Sequence, residues 1–196
     1  MNPILRDFPD HFETERLLIR SPRPGDGQML FAAVTESIEH LKPWMPWAHQ
    51  PITLEAEEGT ARRMHADFLK REDLPLFIFN RKSGAFIGGS GLHRFDWAVP
   101  RFEIGYWVRT REIGKGYITE AVAGIANFAF EQLFAERIEI RVDNRNESSW
   151  RIPERLKFTL EGIHRRDARG VQGELRDTRV YAMIRDEWLE RKRDQD

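Results

Sequence analysis

Arg111-Glu-Ile-Gly114-Lys-Gly116 is the stretch that decides the fold of this chain. Immediately before it, Phe102-Glu-Ile-Gly-Tyr-Trp-Val108 places Phe102, Ile104, Tyr106 and Val108 at the two-residue period of a strand. Beyond it, Ile118, Ala121, Val122, Ile125, Ala129 and Leu133 recur at helical spacing. The two glycines therefore stand at a strand-to-helix turn. Without Cβ atoms the backbone there can come close to a ligand, and the first amides of a helix point outward without intrahelical acceptors. Together with the partial positive charge of the helix N-terminus, this makes the turn a candidate pyrophosphate cradle. Neither G-x-x-x-x-G-K-[ST] nor G-x-G-x-x-G occurs, so the Walker and dinucleotide fingerprints are excluded.

The composition narrows the classes further. A chain of 196 residues, 40% hydrophobic and 32% charged, reads as soluble and globular. Its length fits one domain over 1–196, with a core at about 13–188 and a charged tail at 189–196. A net charge of −1 gives no global attraction to nucleic acid or to an anionic membrane. There is no cysteine, which removes disulfides, thiolate metal sites and a cysteine nucleophile, and suits a reducing cytoplasm. Histidines at 11, 40, 49, 65, 93 and 164 show no ligand-like spacing, so no metal site is expected. The first residues lack the apolar core of a signal peptide, and no run reaches membrane-spanning length.

Outward from the glycine turn, patterning gives strands at 15–20, 75–79, 85–95, 102–108, 137–142, about 158–165 and about 178–185. Helices are predicted at 28–37, with Asp26 as cap, at 53–71 from Thr53, at 117–134 and at about 147–157. Ala56, Met64, Phe68 and Leu69 are the inward set expected for the second of these. Leu41-Lys-Pro-Trp-Met-Pro-Trp47 is neither helix nor strand, because two prolines interrupt it.

The pattern Arg-x-x-Gly-x-Gly resembles the acyl-coenzyme A signature of the GNAT superfamily of N-acetyltransferases. Three further stretches resemble its RimJ/RimL branch. They are Glu13-Thr-Glu-Arg-Leu-Leu-Ile-Arg20, the block from Glu103 to Ala121, and Asn144-Arg-Asn146-Glu-Ser-Ser149 with Glu154, Leu156 and Phe158 after it. The segment 41–47 is similar to the Leu-x-Pro-Trp-Leu-Pro-Trp of ribosomal-protein-serine N-acetyltransferases. The resemblance implies an α+β fold with a mixed, mostly antiparallel sheet of six to seven strands. Helices would cover both faces, and a V-shaped cleft would hold acetyl-CoA. Two departures stand out: Lys157 occupies a position where the family has glycine, and Pro153 falls inside the helix that Ser149 would cap.

The resemblance also implies roles. Amides from Ile113 through Gly114, Lys115 and Gly116 to Tyr117 would bind the pyrophosphate, with Arg111 as the signature cation. Beside the loop a β-bulge would splay two strands, and the backbone of Trp107, Val108 and Arg109 would pair with the pantetheine arm. Asn146 would bond that arm, or serve as a turn residue. Glu103 is the first candidate for the base that frees the amine; partial burial beside Trp107 would raise its pKa, and the empty side chain of Gly105 would leave room for substrate. The alternative for Glu103 is a salt-bridged strand residue. Ser149 either donates to the departing sulfur or caps a helix. Trp44, Trp47, Trp97 and His93 are candidates for the acceptor wall, each with core packing or local pairing as its alternative.

Acetylation of a protein N-terminus, above all a ribosomal protein's, is the leading functional expectation. A small amine such as a polyamine, an amino acid or an aminoglycoside is the second, with Glu55, Glu57 and Glu58 as the acidic set to locate. A non-catalytic acyl-CoA sensor is the third. Relatives in this branch are often dimeric, so a homodimer is possible.

Overall fold

The computed structural model describes residues 2–193. In chain order its elements are β1 (His11–Glu13), β2 (Leu17–Arg20), α1 (Gly27–Leu41), α2 (Leu54–Lys70), β3 (Leu74–Asn80), β4 (Phe86–Asp96), β5 (Arg101–Val108), α3 (Tyr117–Gln132), β6 (Arg137–Asp143), α4 (Glu147–Arg155), β7 (Thr159–Arg169), β8 (Leu175–Ile184) and α5 (Arg185–Arg193). The strands form one sheet in the order β1-β2-β3-β4-β5-β6-β8-β7. All neighbours are antiparallel except β5 and β6. The eighth strand is β1, three residues long and too short for any periodicity to reveal it.

Alternation in β3 explains why both faces of the sheet are covered. Leu76 and Ile78 join the core beneath α3, α4 and α5, whereas Phe77 and Phe79 join Leu30, Ala33 and Val34 of α1 on the opposite face. Helix α3 carries the larger load. All six of its expected inward positions are buried, and each large apolar side chain among them is worth about 1.5–3 kcal/mol of transfer free energy.

The remaining helices differ from expectation in detail. Ala61, Met64 and Phe68 set the inward face of α2, so Leu69, one step round from Phe68, is exposed, as is Ala56. Thr53 caps this helix, accepting from the Ala56 amide at 3.1 Å. Asp26 stands at the start of α1 without capping it; Arg20 takes its carboxylate at 2.7 and 2.8 Å. A charged tail was expected from 189, but α5 runs on to Arg193 with Trp188 stacked on Phe130; the rest of that tail lies outside the described residues.

Candidate active site

The decisive geometry is the parting of the two parallel strands. β5 and β6 are paired only over Arg101–Glu103 and Arg137–Glu139, after which the ladder ends and a gap opens between them. The β4–β5 ladder runs without a register shift from Gly88–Val108 to His93–Glu103, so the expected β-bulge beside the glycine loop is absent there; the shift lies at the far end, between His93 and Asp96. Past Glu139, β6 keeps its pairing with β8, and β5 keeps its pairing with β4 up to Val108. Hydrogen bonding alternates along β5. The Arg109 amide is donated to Ile87 at 2.9 Å, which leaves the polar edges of Tyr106 and Val108 facing the gap. Of the three residues expected to pair with an extended ligand, Val108 has its edge free, whereas Trp107 and Arg109 are turned toward β4.

A cleft of about 410 Å³ fills the gap, walled by the end of α1, β5, the glycine loop and the first turns of α3 and α4. Gly114 and Gly116 both have φ +78°, a conformation that glycine adopts without a Cβ penalty. No side chain caps α3, and the amides of Gly114 through Thr119 donate no hydrogen bond among the described residues. Six consecutive unpaired donors at a helix N-terminus fit the diphosphate of a coenzyme A thioester. Ile113 and Tyr117 line the same wall.

The side chains of Arg111 and Lys115 do not. Arg111 lies 3.4 Å from Glu36, Lys115 pairs with Glu112 at 2.9 Å, and neither lines the cleft. The cations that do are Arg151 and Arg155, four residues apart on α4, with His40 at the end of α1. That spacing is readable in the sequence, as two arginines one turn apart in a predicted helix. Arg109 is buried and clamps α1 to the end of β5 through Glu36, while Ser37 Oγ accepts the Thr110 amide at 3.0 Å.

Across the gap Asn146, rather than Ser149, caps α4: its Oδ1 accepts the Ser149 amide at 3.2 Å. Both residues line the cleft. Lys157 follows α4 at φ +55°, the left-handed conformation that its family position calls for. Tyr106, which sequence reasoning treated only as a strand position, sits against Ser149 and is the nearest phenol to it.

Glu103 lies at the apex of the parting and is buried. Its carboxylate does not lean on Trp107. Arg94 holds it from two nitrogens, one at 2.8 Å, and that bond raises the Arg94 pKa. Strand alternation would send Arg94 to the other face; its φ of +43° at a register shift in β4 turns the guanidinium back. Glu103 opens into a second cavity of about 320 Å³ shared with Arg101, Arg137, Glu139 and Arg141.

The space expected at Gly105 is occupied. His93, cross-strand partner of Glu103, lies with its ring over the facing pair Gly91 and Gly105, where a Cβ on Gly91 would stand 2.6 Å from the imidazole. Its Nδ1 meets Asp73 at 2.8 Å. Trp44 lines the main cleft, and Trp47 packs edge-on against Trp107, which does too. Trp97 does not border it: the indole packs with Phe95 and Phe102 and donates to the Arg71 carbonyl at 3.4 Å.

A family model described as "Acetyltransferase (GNAT) domain" matches residues 16–159. The chain belongs to the GNAT acetyltransferase family. This acetyltransferase is 32% identical over 178 residues, 89% of its own length and 94% of the other's, to the Bacillus subtilis (strain 168) protein named "Putative ribosomal N-acetyltransferase YdaF". Its fold superimposes on RimL, the ribosomal L7/L12 α-N-protein acetyltransferase solved with coenzyme A, with a TM-score of 0.81, 19% identity and coverage of 89% and 97%. A similar match, with a TM-score of 0.81, 20% identity and coverage of 87% and 93%, is to the microcin C7 self-immunity acetyltransferase MccE solved with acetyl-CoA and AMP.

Proposed function

We propose that this chain transfers acetyl from acetyl-CoA to the N-terminal α-amine of a protein, in line with the ribosomal activity named for its Bacillus relative. The observation that carries the reading is the parted β5–β6 ladder ending in six free amides, a slot with an unpaired strand edge at one end and an anion cradle at the other. Acetyl-CoA supplies the acetyl group as a thioester. Amides 114–119 hold its diphosphate, Arg155 adds positive charge beside Arg151, whose own charge is shared with Glu147, and Asn146 offers its side-chain amide to the arm.

Glu103 accepts the proton that an ammonium must lose before its nitrogen lone pair can attack. As the new C–N bond forms and the C–S bond breaks, the Ser149 hydroxyl donates to the developing negative charge on sulfur. His93, oriented by Asp73 and facing Glu103 across the strands, is the second candidate base.

Charge around Glu103 bears on the acceptor. Four arginines line its cavity, but Glu103, Glu139, Glu161 and Asp167 pair with three of them, so the charge there is balanced and offers a polyamine no acidic surface. The acidic residues of α2 line neither cavity, and Glu58 is engaged by the amides of Gly25 and Gly27. An amino acid is the second reading, favoured by Arg101, whose side chain lines this cavity and could meet a free carboxylate.

The test is release of free coenzyme A across a panel of Ser- and Ala-starting peptides, free amino acids, spermidine and an aminoglycoside. Turnover with a peptide, lost on Glu103→Gln, is the expected result. Turnover confined to small amines would reject the protein acceptor, and intact acetyl-CoA binding without turnover would reject the enzyme.

A further inference from the structure

Tyr106 is a cleft residue to which the proposed reaction gives no part, and its hydrogen bonds are specific. In an α-helix the carbonyl of residue 149 accepts from the N–H of residue 153. Residue 153 of α4 is proline, which has no N–H, so the Ser149 carbonyl loses its intrahelical donor. Tyr106 supplies the replacement: its hydroxyl donates to Ser149 O at 2.9 Å. The Ser149 hydroxyl in turn donates to Tyr106 Oη at 3.3 Å. Burial pushes the phenol well above its ordinary pKa, so it keeps the proton it donates across the working pH range.

We propose that Tyr106 is a positioning residue for Ser149, and that Pro153 serves the site by leaving the Ser149 carbonyl open to it. The bond crosses the gap, tying β5 on one wall to the first turn of α4 on the other. It holds the Ser149 oxygen in place on the cleft wall while the hydroxyl hydrogen stays free to rotate from Tyr106 to sulfur. A proline that would ordinarily only weaken a helix interior thereby releases an acceptor to the site. The purpose assigned to this bond rests on the proposed transfer reaction, whereas the Tyr106–Pro153 link stands without it.

The first experiment is a cycle of Tyr106→Phe and Ser149→Ala read by steady-state kinetics. Tyr106→Phe keeps the ring and removes the bond. It is expected to lower kcat about tenfold with KM for acetyl-CoA within about twofold, and to have no further effect once Ser149 is alanine. An unchanged kcat, or the same tenfold loss in the Ser149→Ala background, would overturn the role.

A binding measurement covers the case in which no acceptor is found. Wild type should prefer coenzyme A over desulfo-coenzyme A at pH 9, and both single variants should erase that preference; loss on Ser149→Ala alone would overturn the proposal. If neither ligand binds, the transfer reading itself falls. The link is then read from melting temperature, where Pro153→Ala should shift Tm differently in the wild-type and Tyr106→Phe backgrounds, since the restored N–H competes with the phenol only when the phenol is present. Equal shifts would refute it.

Discussion

Replacing Gly114 with alanine separates what the glycine loop does for the fold from what it does for the ligand. At φ +78°, with nothing within 4 Å of the point where a Cβ would stand, an alanine here meets no clash and suffers only the left-handed backbone penalty. That penalty is about 1–2 kcal/mol. For a chain of this size it corresponds to a fall in Tm of roughly 2–8 °C. If the loop relieves the strain by leaving the left-handed region, binding must restore it, and the same energy weakens coenzyme A affinity about 5- to 30-fold. Gly84 is the matched control: φ +69°, equally open, in the β3–β4 turn. Calorimetric titration and thermal melts on both variants give the answer. The expectation is loss of Tm in Gly84→Ala, and in Gly114→Ala a smaller loss of Tm together with loss of affinity, because strain that the free loop relieves must be restored on binding. Unchanged affinity in Gly114→Ala, or equal weakening in Gly84→Ala, would refute the cradle.

Glu103→Gln should lower kcat/KM about 10²- to 10⁴-fold with acetyl-CoA affinity unchanged, whereas His93→Gln should retain most activity; the reverse ranking in the same assay moves the base to His93. Glu120 receives bonds from Thr14 and from the backbone and side chain of Arg16, which outweigh its burial and hold its pKa below 4.5. The stability this contributes is complete above the unfolded pKa and is lost as pH falls through the folded one. Urea midpoints of wild type should therefore drop more steeply below pH 4.5 than those of Glu120→Gln, and parallel curves would contradict the assignment. Phe130→Ala, which removes the ring stacked 5.2 Å from Trp188, should cost about 3–5 kcal/mol in urea unfolding and detach α5. A loss under about 1 kcal/mol would show that α5 contributes little to the core.

The parts of this molecule that were legible in the sequence are those governed by local periodicity and backbone chemistry. The α3 face followed from spacing alone, as did the place of Gly114 and Gly116 at a strand-to-helix turn. Lys157 stands out in the sequence only as a departure from the family's glycine, and the backbone there keeps the positive φ that a glycine would take. What could not be read were long-range pairings. Nothing near Glu103 in sequence announces that Arg94 will turn back through a kink to hold it, or that His93 will lie across two facing glycines. Trp97 and Trp44 look alike as isolated tryptophans, yet one is packed against Phe102 and the other lines the cleft. Pro153 was visible as a disturbance of a helix. Its use required knowing that a phenol from another strand would stand opposite the carbonyl it leaves unpaired.

The unpaired edge of β5 has a consequence for the protein's life in a cell. A strand edge exposed in mid-sheet is a template on which another extended chain can pair. On the function proposed above, a thioester lying in the gap would act as the missing strand, shielding that edge and adding to folding stability by mass action. The solubility and turnover of this protein should then track the supply of its own acyl donor, so that the level of a metabolite sets how much of the catalyst survives.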